Sequence, residues 1–386
     1  MLRHYITKGG KTMRCGYTTG SCAAGAARAA TEMLQTGAPV ETVELLTPKG
    51  IRLTLEILNG EIGPDFARCA VQKDSGDDPD ITNGILIYAE ARRVPEGIVI
   101  DGGEGVGRVT KAGLDQPVGA AAINSVPRRM IAEQVEAACA KCGYAGGIAI
   151  TISIPEGEAL ARKTFNPRIG IQGGLSVIGT TGIVEPMSNA ALVDTIRLEL
   201  SVLSAGGAKG VLLCPGNYGE VFAREVLGLS MRRQVSTSNF IGDAIEAAVS
   251  YGFERILLVG HIGKLVKLGI NLSNTHSACG DGRMETLIAC ALEVGGDLPL
   301  LRRILSCVTT DAALEALGEA GLLEPTMQIL GRRIQDSLER KVPVGTEIGF
   351  ICFTNAEPFS GVLVESKNAR ALAREWTADS DADQAE

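Results

Sequence analysis

Apolar and polar residues alternate through "TVELLTPKGIRLTLEIL", residues 42 to 58, on either side of a Pro-Lys-Gly corner. Alternation with period two, interrupted by a turn, predicts two strands joined as a hairpin. "ARCAVQK" (67 to 73) and "NGILIYAEARRV" (83 to 94) continue as strands, separated by the acidic turn "DSGDDPD". "EGIVIDGGEGVGRVTKAGL" reads as a strand, a glycine-rich loop and a returning strand. The helix "VPRRMIAEQVEAACAKCG" follows, with Pro127 near its first turn, and "GIAITISIP" is a further strand. Ahead of all these lies "MRCGYTTGSCAAGAARAA", a hydroxyl- and glycine-rich loop running into a helix of alanines. An amphipathic helix ordinarily buries bulky side chains along one stripe. A helix this thin implies that something lies very close to it. Strands with interspersed helices predict an α+β domain over residues 1–165.

The rhythm then changes. "AKGVLLCPGNYGEVFAREVLG" is a buried strand, a glycine loop and a helix, and "FERILLVGHIGKLVKLG" repeats that order. The amphipathic helix "NFIGDAIEAAVSYG" separates them. This βαβ periodicity predicts a Rossmann-like α/β domain with a mostly parallel sheet over residues 166–370. "METLIACALEVGG", "LLRRILSCV" and "AALEALGEAG" add helices, and "EIGFICFTN" a late strand. The seam is expected near "RKTFNPRIGIQGG", where Pro and Gly cluster. Residues 371–386 read as an acidic, disordered tail.

A length of 386 residues is long for one core and supports two domains. Hydrophobic residues at 45% and charged ones at 21% suit a soluble globular protein. With 37 basic against 45 acidic residues the net charge is −8, which argues against nucleic acid as a partner. No apolar run reaches the roughly 18 residues of a membrane span, and "MLRHYITKGGKTMR" has no secretory apolar region. Ten scattered cysteines suit reduced thiols, so a cytoplasmic protein is expected. Cys139 and Cys142 form a single CxxC, and the histidines are His4, His261 and His276. Without a second ligand pair, no protein-bound metal is expected. The oligomeric state is left open.

Three glycine turns compete for a nucleotide-like cofactor. In "VIDGGEGVG", Asp101 ends a strand and Gly103, Gly105 and Gly107 alternate after it. That spacing is similar to the loop around S-adenosylmethionine in many Rossmann methyltransferases; a plain hairpin tip explains it equally well. "CPGNYGE" and "VGHIGKLVK" each fall at the carboxyl end of a predicted strand, where open α/β sheets bind ligands. There Gly216, Asn217, Gly260 and Gly263 are candidate cofactor contacts, with Lys264 as a cation and His261 as a specific partner. Short βα turns need such glycines anyway. In "THSACGDGRMETL", His276, Asp281 and Arg283 crowd a polar loop.

Six blocks in order, "MRCGYTTGSCAA", "DGGEGVGRVTKAGLDQPVG", "NPRIGIQGGLSVIGTTGIVEPMS", "CPGNYG", "NFIGDAIEAA" and "LLVGHIGKLVKL", resemble the cobalt-precorrin-5B (C1)-methyltransferase family of anaerobic cobalamin biosynthesis. The likeness runs from Arg14 to about Ser360, with "THSACGDGRMETL" a looser fit. It implies methyl transfer from S-adenosyl-L-methionine to carbon 1 of cobalt-precorrin-5B, giving cobalt-precorrin-6A, with the cobalt carried by the substrate. A macrocycle fringed by acetates and propionates needs cations: Arg128, Arg168, Lys264 and Arg283, with Arg129, Lys163 and Lys267 in reserve. Asp101, His261 or Asp281 would accept any proton released. Thr18, Thr19 and Ser21 would bind a carboxylate at the start of the alanine helix; tight packing alone is the competing account of that helix. Rival functions are a non-catalytic tetrapyrrole carrier and a small-molecule kinase, although "GYTTGSC" lacks the lysine of a phosphate loop.

Overall fold

The computed structural model describes residues 2–382. It divides the chain into two units between Asn189 and Ala190. The seam therefore falls later than the sequence suggests. Residues 166–189 belong to the first unit because Thr110, Gly107 and the start of the alanine helix bind their backbone. Thr110 donates to Gly170, Gly107 to Leu175 and Gly20 to Ile178.

In the first unit a five-stranded sheet runs in the order Leu58–Ile62, Phe66–Gln72, Leu86–Val94, Gly147–Ser153 and Ile98–Gly102. Neighbours are antiparallel except the last pair, which is parallel. Ala67, Cys69, Ala89 and Ala91 face inward and are buried. Against them lies the alanine helix, Thr19–Thr36, buried from Thr19 to Leu34 with Arg28 the exception. The hairpin Thr42–Leu46 and Arg52–Glu56 covers another side, with Val43 opposite Leu55 and Leu45 opposite Leu53, all four buried. The helix Ser125–Cys142 packs on a third side.

The alanines thus have a packing explanation: a helix enclosed by sheet, hairpin and helix has no outward face on which to carry bulk. At Gly25 even a Cβ would come within 2.6 Å of the Leu55 Cδ1. One carboxylate is enclosed as well: Glu32 pairs with Arg28 at 3.1 Å and with Lys141 of the neighbouring helix at 2.8 Å.

The second unit has a five-stranded sheet in the order Gln234–Ser236, Gly210–Cys214, Arg255–His261, Glu347–Thr354 and Gly361–Glu365. The first four strands are parallel and the last is antiparallel. Alternate residues feed two cores. Val211, Leu213, Ile256, Leu258 and Phe350 join one with helix Ile241–Ser250. Leu212, Leu257, Val259, Ile351 and Phe353 join the other.

That second core corrects the expected disordered tail. Residues Ala369–Ala382 form a helix, and Ala369, Leu372, Ala373 and Trp376 are buried in it at helical spacing. The final four positions of the tail, 383 to 386, lie outside the described residues. The whole is a mixed α/β protein with parallel and antiparallel sheets.

Candidate functional site

Three sequence-predicted positions in the first unit are occupied by the chain itself. Thr18 caps the alanine helix, its Oγ1 accepting from the Ser21 N–H at 3.2 Å. The Thr19 hydroxyl donates to the Ile178 carbonyl at 3.1 Å and accepts from the Ile178 N–H at 2.9 Å. The Ser21 hydroxyl donates to the Gly182 carbonyl at 2.7 Å. All three residues are buried, and the Thr19 and Ser21 hydroxyls clasp the 178–182 loop. Replacing Thr19 by Val is expected to cost about 1–2 kcal/mol, by stranding the Ile178 N–H; the Ile178 carbonyl keeps the Gly20 N–H. Ligand affinity should stay unchanged, as urea unfolding and calorimetric titration of the same sample would show.

The first glycine loop is filled in the same way. A Cβ on Gly105, whose φ is +69°, would overlap the Ile154 carbonyl, and one on Gly107 would crowd Ile171 and Gly174. At Gly103 the obstacle is Ser153 Oγ, at 2.7 Å. These glycines admit backbone from residues 152 to 174.

Asp101 is held by Arg108 in a two-pronged pair at 2.7 and 3.1 Å. The guanidinium keeps its carboxyl below the usual range, which makes it a poor base. Arg128 spends its guanidinium on the carbonyls of Ile123 and Ile100, both at 2.8 Å, and on that of Ala121. Arg168 is exposed at the end of the short helix Asn166–Ile169. Cys22, beside the capped turn, is fully buried, and burial pushes its thiol up to about 12.

In the second unit the polar loop after residue 274 is organised by Lys267, which is 4% exposed. Its ammonium donates to the carbonyls of Thr275 at 3.1 Å and Gly280 at 2.9 Å. Asp281 lies 3.7 Å from it and accepts from Nε and one terminal nitrogen of Arg283, at 2.5 and 2.9 Å. That pairing holds the Asp281 carboxyl down. Asp281 and Arg283 neutralise each other, so neither is a free base or a free cation.

The remaining predicted residues converge at the carboxyl ends of the parallel strands. Strand Gly210–Cys214 ends at Pro215 and Gly216, and strand Arg255–His261 ends at His261 itself. Gly216 has φ +90° and ψ 173°, a conformation only glycine adopts readily, and a Cβ there would sit 3.3 Å from Lys264 Nζ. Lys264 donates to the Ser238 carbonyl at 2.9 Å and has no carboxylate at ion-pair distance among the described residues. Burial lowers its pKa. Asn217 and Tyr218 are exposed beside it.

His261 is fixed twice. Its Nδ1 accepts from the Gly263 N–H at 3.1 Å, and its ring meets Phe353 edge-on with centroids 5.5 Å apart. Burial lowers its pKa against an opposing pull from Asp311. A neutral imidazole whose Nδ1 accepts must carry its proton on Nε2, so His261 presents a donor. Gly260 serves packing, since a Cβ would press on Pro215 and Leu265.

The sequence reading missed Ser238, whose φ of +50° turns its carbonyl to Lys264. It also missed Tyr218, 6.1 Å from the His261 ring, and Asp311, which takes the Thr354 hydroxyl at 3.1 Å. The hydroxyl-rich run "STSN" at the end of strand Gln234–Ser236 was the available signal. Thr237 in that run is fully buried, and its hydroxyl has no hydrogen-bond partner among the described residues. A hollow of about 290 Å³ lies elsewhere, at the amino end of strand Glu347–Thr354, lined by Gln335, Val342 and Asn368 and by no cation.

A cation, a fixed imidazole and an exposed aromatic ring thus gather at the carboxyl ends of the parallel strands, the place where open α/β sheets bind ligands. The CbiD family model matches residues 6–186, and that of the CbiD C-terminal domain matches residues 274–361. The chain belongs to the CbiD family. It is 48% identical over 319 residues to the cobalt-precorrin-5B C(1)-methyltransferase of Thermoanaerobacter sp. (strain X514), covering 82% of this chain and 86% of that one. The protein of the same name from Ruminiclostridium cellulolyticum is 41% identical over 382 residues, 98% of this chain and 100% of the relative. A crystal structure of the cobalamin biosynthesis protein CbiD from Archaeoglobus fulgidus is 30% identical, with a TM-score of 0.39, over 75% of this chain and 88% of that one. No helix among the described residues is long and apolar enough to cross a membrane.

Proposed function

We propose that this chain methylates cobalt-precorrin-5B at carbon 1, giving cobalt-precorrin-6A, with S-adenosyl-L-methionine as methyl donor. The relatives' names support the reaction. The observation that carries the site is the meeting of Gly216, Tyr218, His261 and Lys264 at the strand ends of the second unit. We read that unit as Rossmann-like, with Gly216, Asn217 and Gly263 lining the ligand crevice.

A sulfonium methyl is already activated toward a carbon nucleophile, and the chain's task is to hold the two reactants in line. Lys264 offers positive charge in a half-buried setting, where a charge-assisted bond is strong. Tyr218 offers an exposed ring to a flat ligand. His261 supplies an N–H donor.

The cobalt arrives with the substrate. The test is anaerobic incubation of the full chain with cobalt-precorrin-5B and methyl-labelled S-adenosylmethionine. A product carrying one labelled methyl is expected by mass spectrometry, and unlabelled substrate recovered alone counts against the reaction.

A further inference from the structure

The Lys264 ammonium has three donors and uses one, on the Ser238 carbonyl. The strand Arg255–His261 and the short helix after it place it 3.3 Å from where a Cβ on Gly216 would sit. The cap bond from Gly263 removes Nδ1 of His261 from proton chemistry and leaves Nε2–H as a donor on a ring braced by Phe353. A half-buried cation with unused N–H groups suits an anionic oxygen group, and His261, three residues earlier in the chain, holds a second N–H donor at the same strand end. The acidic neighbour Asp311 is engaged by Thr354.

We propose that Lys264 and the Nε2–H of His261 form a two-donor clamp for a carboxylate of the bound ligand, and that His261 acts there as a donor and not as a base. This rests on the methyltransferase reading above. Two sources carry that chemistry: the α-carboxylate of the methyl donor's methionine moiety, and an acetate or propionate of the macrocycle.

The test compares the wild-type chain with Lys264→Met, Lys264→Arg, His261→Gln and His261→Ala. S-adenosylhomocysteine and decarboxylated S-adenosylmethionine are titrated calorimetrically, and corrinoid binding is followed by its absorbance. If the carboxylate belongs to the methyl donor, K264M weakens S-adenosylhomocysteine binding by about 10- to 100-fold, the scale of one charge-assisted bond. The decarboxylated ligand then binds wild type and K264M alike. If it belongs to the macrocycle, S-adenosylhomocysteine is unaffected and corrinoid affinity falls instead.

In either case K264R and H261Q, which keep a donor, retain more affinity than K264M and H261A. Unchanged affinity for both ligands in folded K264M overturns the clamp. So does an H261Q variant that binds both ligands normally but has lost kcat, since that is the signature of a base. A wild-type chain that binds these ligands through Lys264 yet transfers no methyl would refute the reaction and leave the clamp standing.

Discussion

Replacing Gly105 by Ala is expected to unfold the first unit or cost it on the order of 4 kcal/mol or more, at the far end of what one substitution does. Two costs combine. At φ +69° an L-residue is strained, and the added methyl would occupy the Ile154 carbonyl, which is backbone and cannot swing aside. Gly157 and Gly174 close on the same residue from the other side: a Cβ on either would overlap the Gly105 carbonyl. The loop is a junction of three backbone segments, held by bonds from Ile154 N–H to the Glu104 carbonyl and from Leu175 N–H to the Gly105 carbonyl. Gly97→Ala is the control, because Gly97 has a similar φ of +72° and nothing within 4 Å of its virtual Cβ. It should cost about 1 kcal/mol. Denaturant unfolding of the two variants separates clash from strain. A folded G105A of normal stability that had lost only S-adenosylhomocysteine binding would restore the cofactor loop expected from the sequence.

The second large effect is expected at Asp80. Lys73 is 3% exposed, and its ammonium meets Asp80 Oδ2 and Ser75 Oγ, each at 2.5 Å. Their loop receives the N-terminal strand: the Tyr17 N–H donates to the Asp74 carbonyl, and Arg14 pairs with the Asp74 side chain at 2.5 and 2.8 Å. Asp80→Asn leaves a buried ammonium without its counter-charge, a loss of about 3–5 kcal/mol. Removing the lysine as well should recover part of that loss, so the double variant with Lys73→Met is expected to be more stable than D80N alone.

The pH dependence has a definite sign. Burial would raise the Asp80 carboxyl, but Lys73 and Thr82 together overcome it and hold the group below its ordinary value. Asp74 is likewise held down, by Arg14. A carboxyl depressed in the folded state stabilises above its unfolded pKa of about 3.9. Wild-type stability should therefore fall as the pH drops below about 4, with a shallower fall in D80N, where Asp74, Asp101 and Asp281 still contribute. Urea midpoints between pH 3 and 7 would show it.

Several elements were legible because local pattern alone demands them. The hairpin at residues 42 to 58 follows from alternation and its Pro-Lys-Gly corner. The helix Ile241–Ser250 follows from its apolar spacing, and the strand-loop-helix order of the second unit from its βαβ rhythm. The C-terminal helix was equally visible in the spacing of Ala369, Leu372, Ala373 and Trp376, but the acidic run beside it suggested solvent. Six ordered sequence blocks also carried the family.

What the sequence by itself determined, then, is the kind and order of elements and the family they belong to, because periodicity and turn chemistry act over a few residues. Only the tertiary structure decided which polar groups are free. Glycine admits any backbone, a ligand's surroundings or a strand of the same chain, and at Gly105 it was the chain. Hydroxyls and guanidiniums bind the first acceptors that folding brings to them. For Thr19, Ser21 and Arg128 these were carbonyls distant in sequence or packed around a helix start. For Lys264 folding brought a single carbonyl and left its other donors unused among the described residues. Long-range packing makes that difference, and no short stretch of residues encodes it.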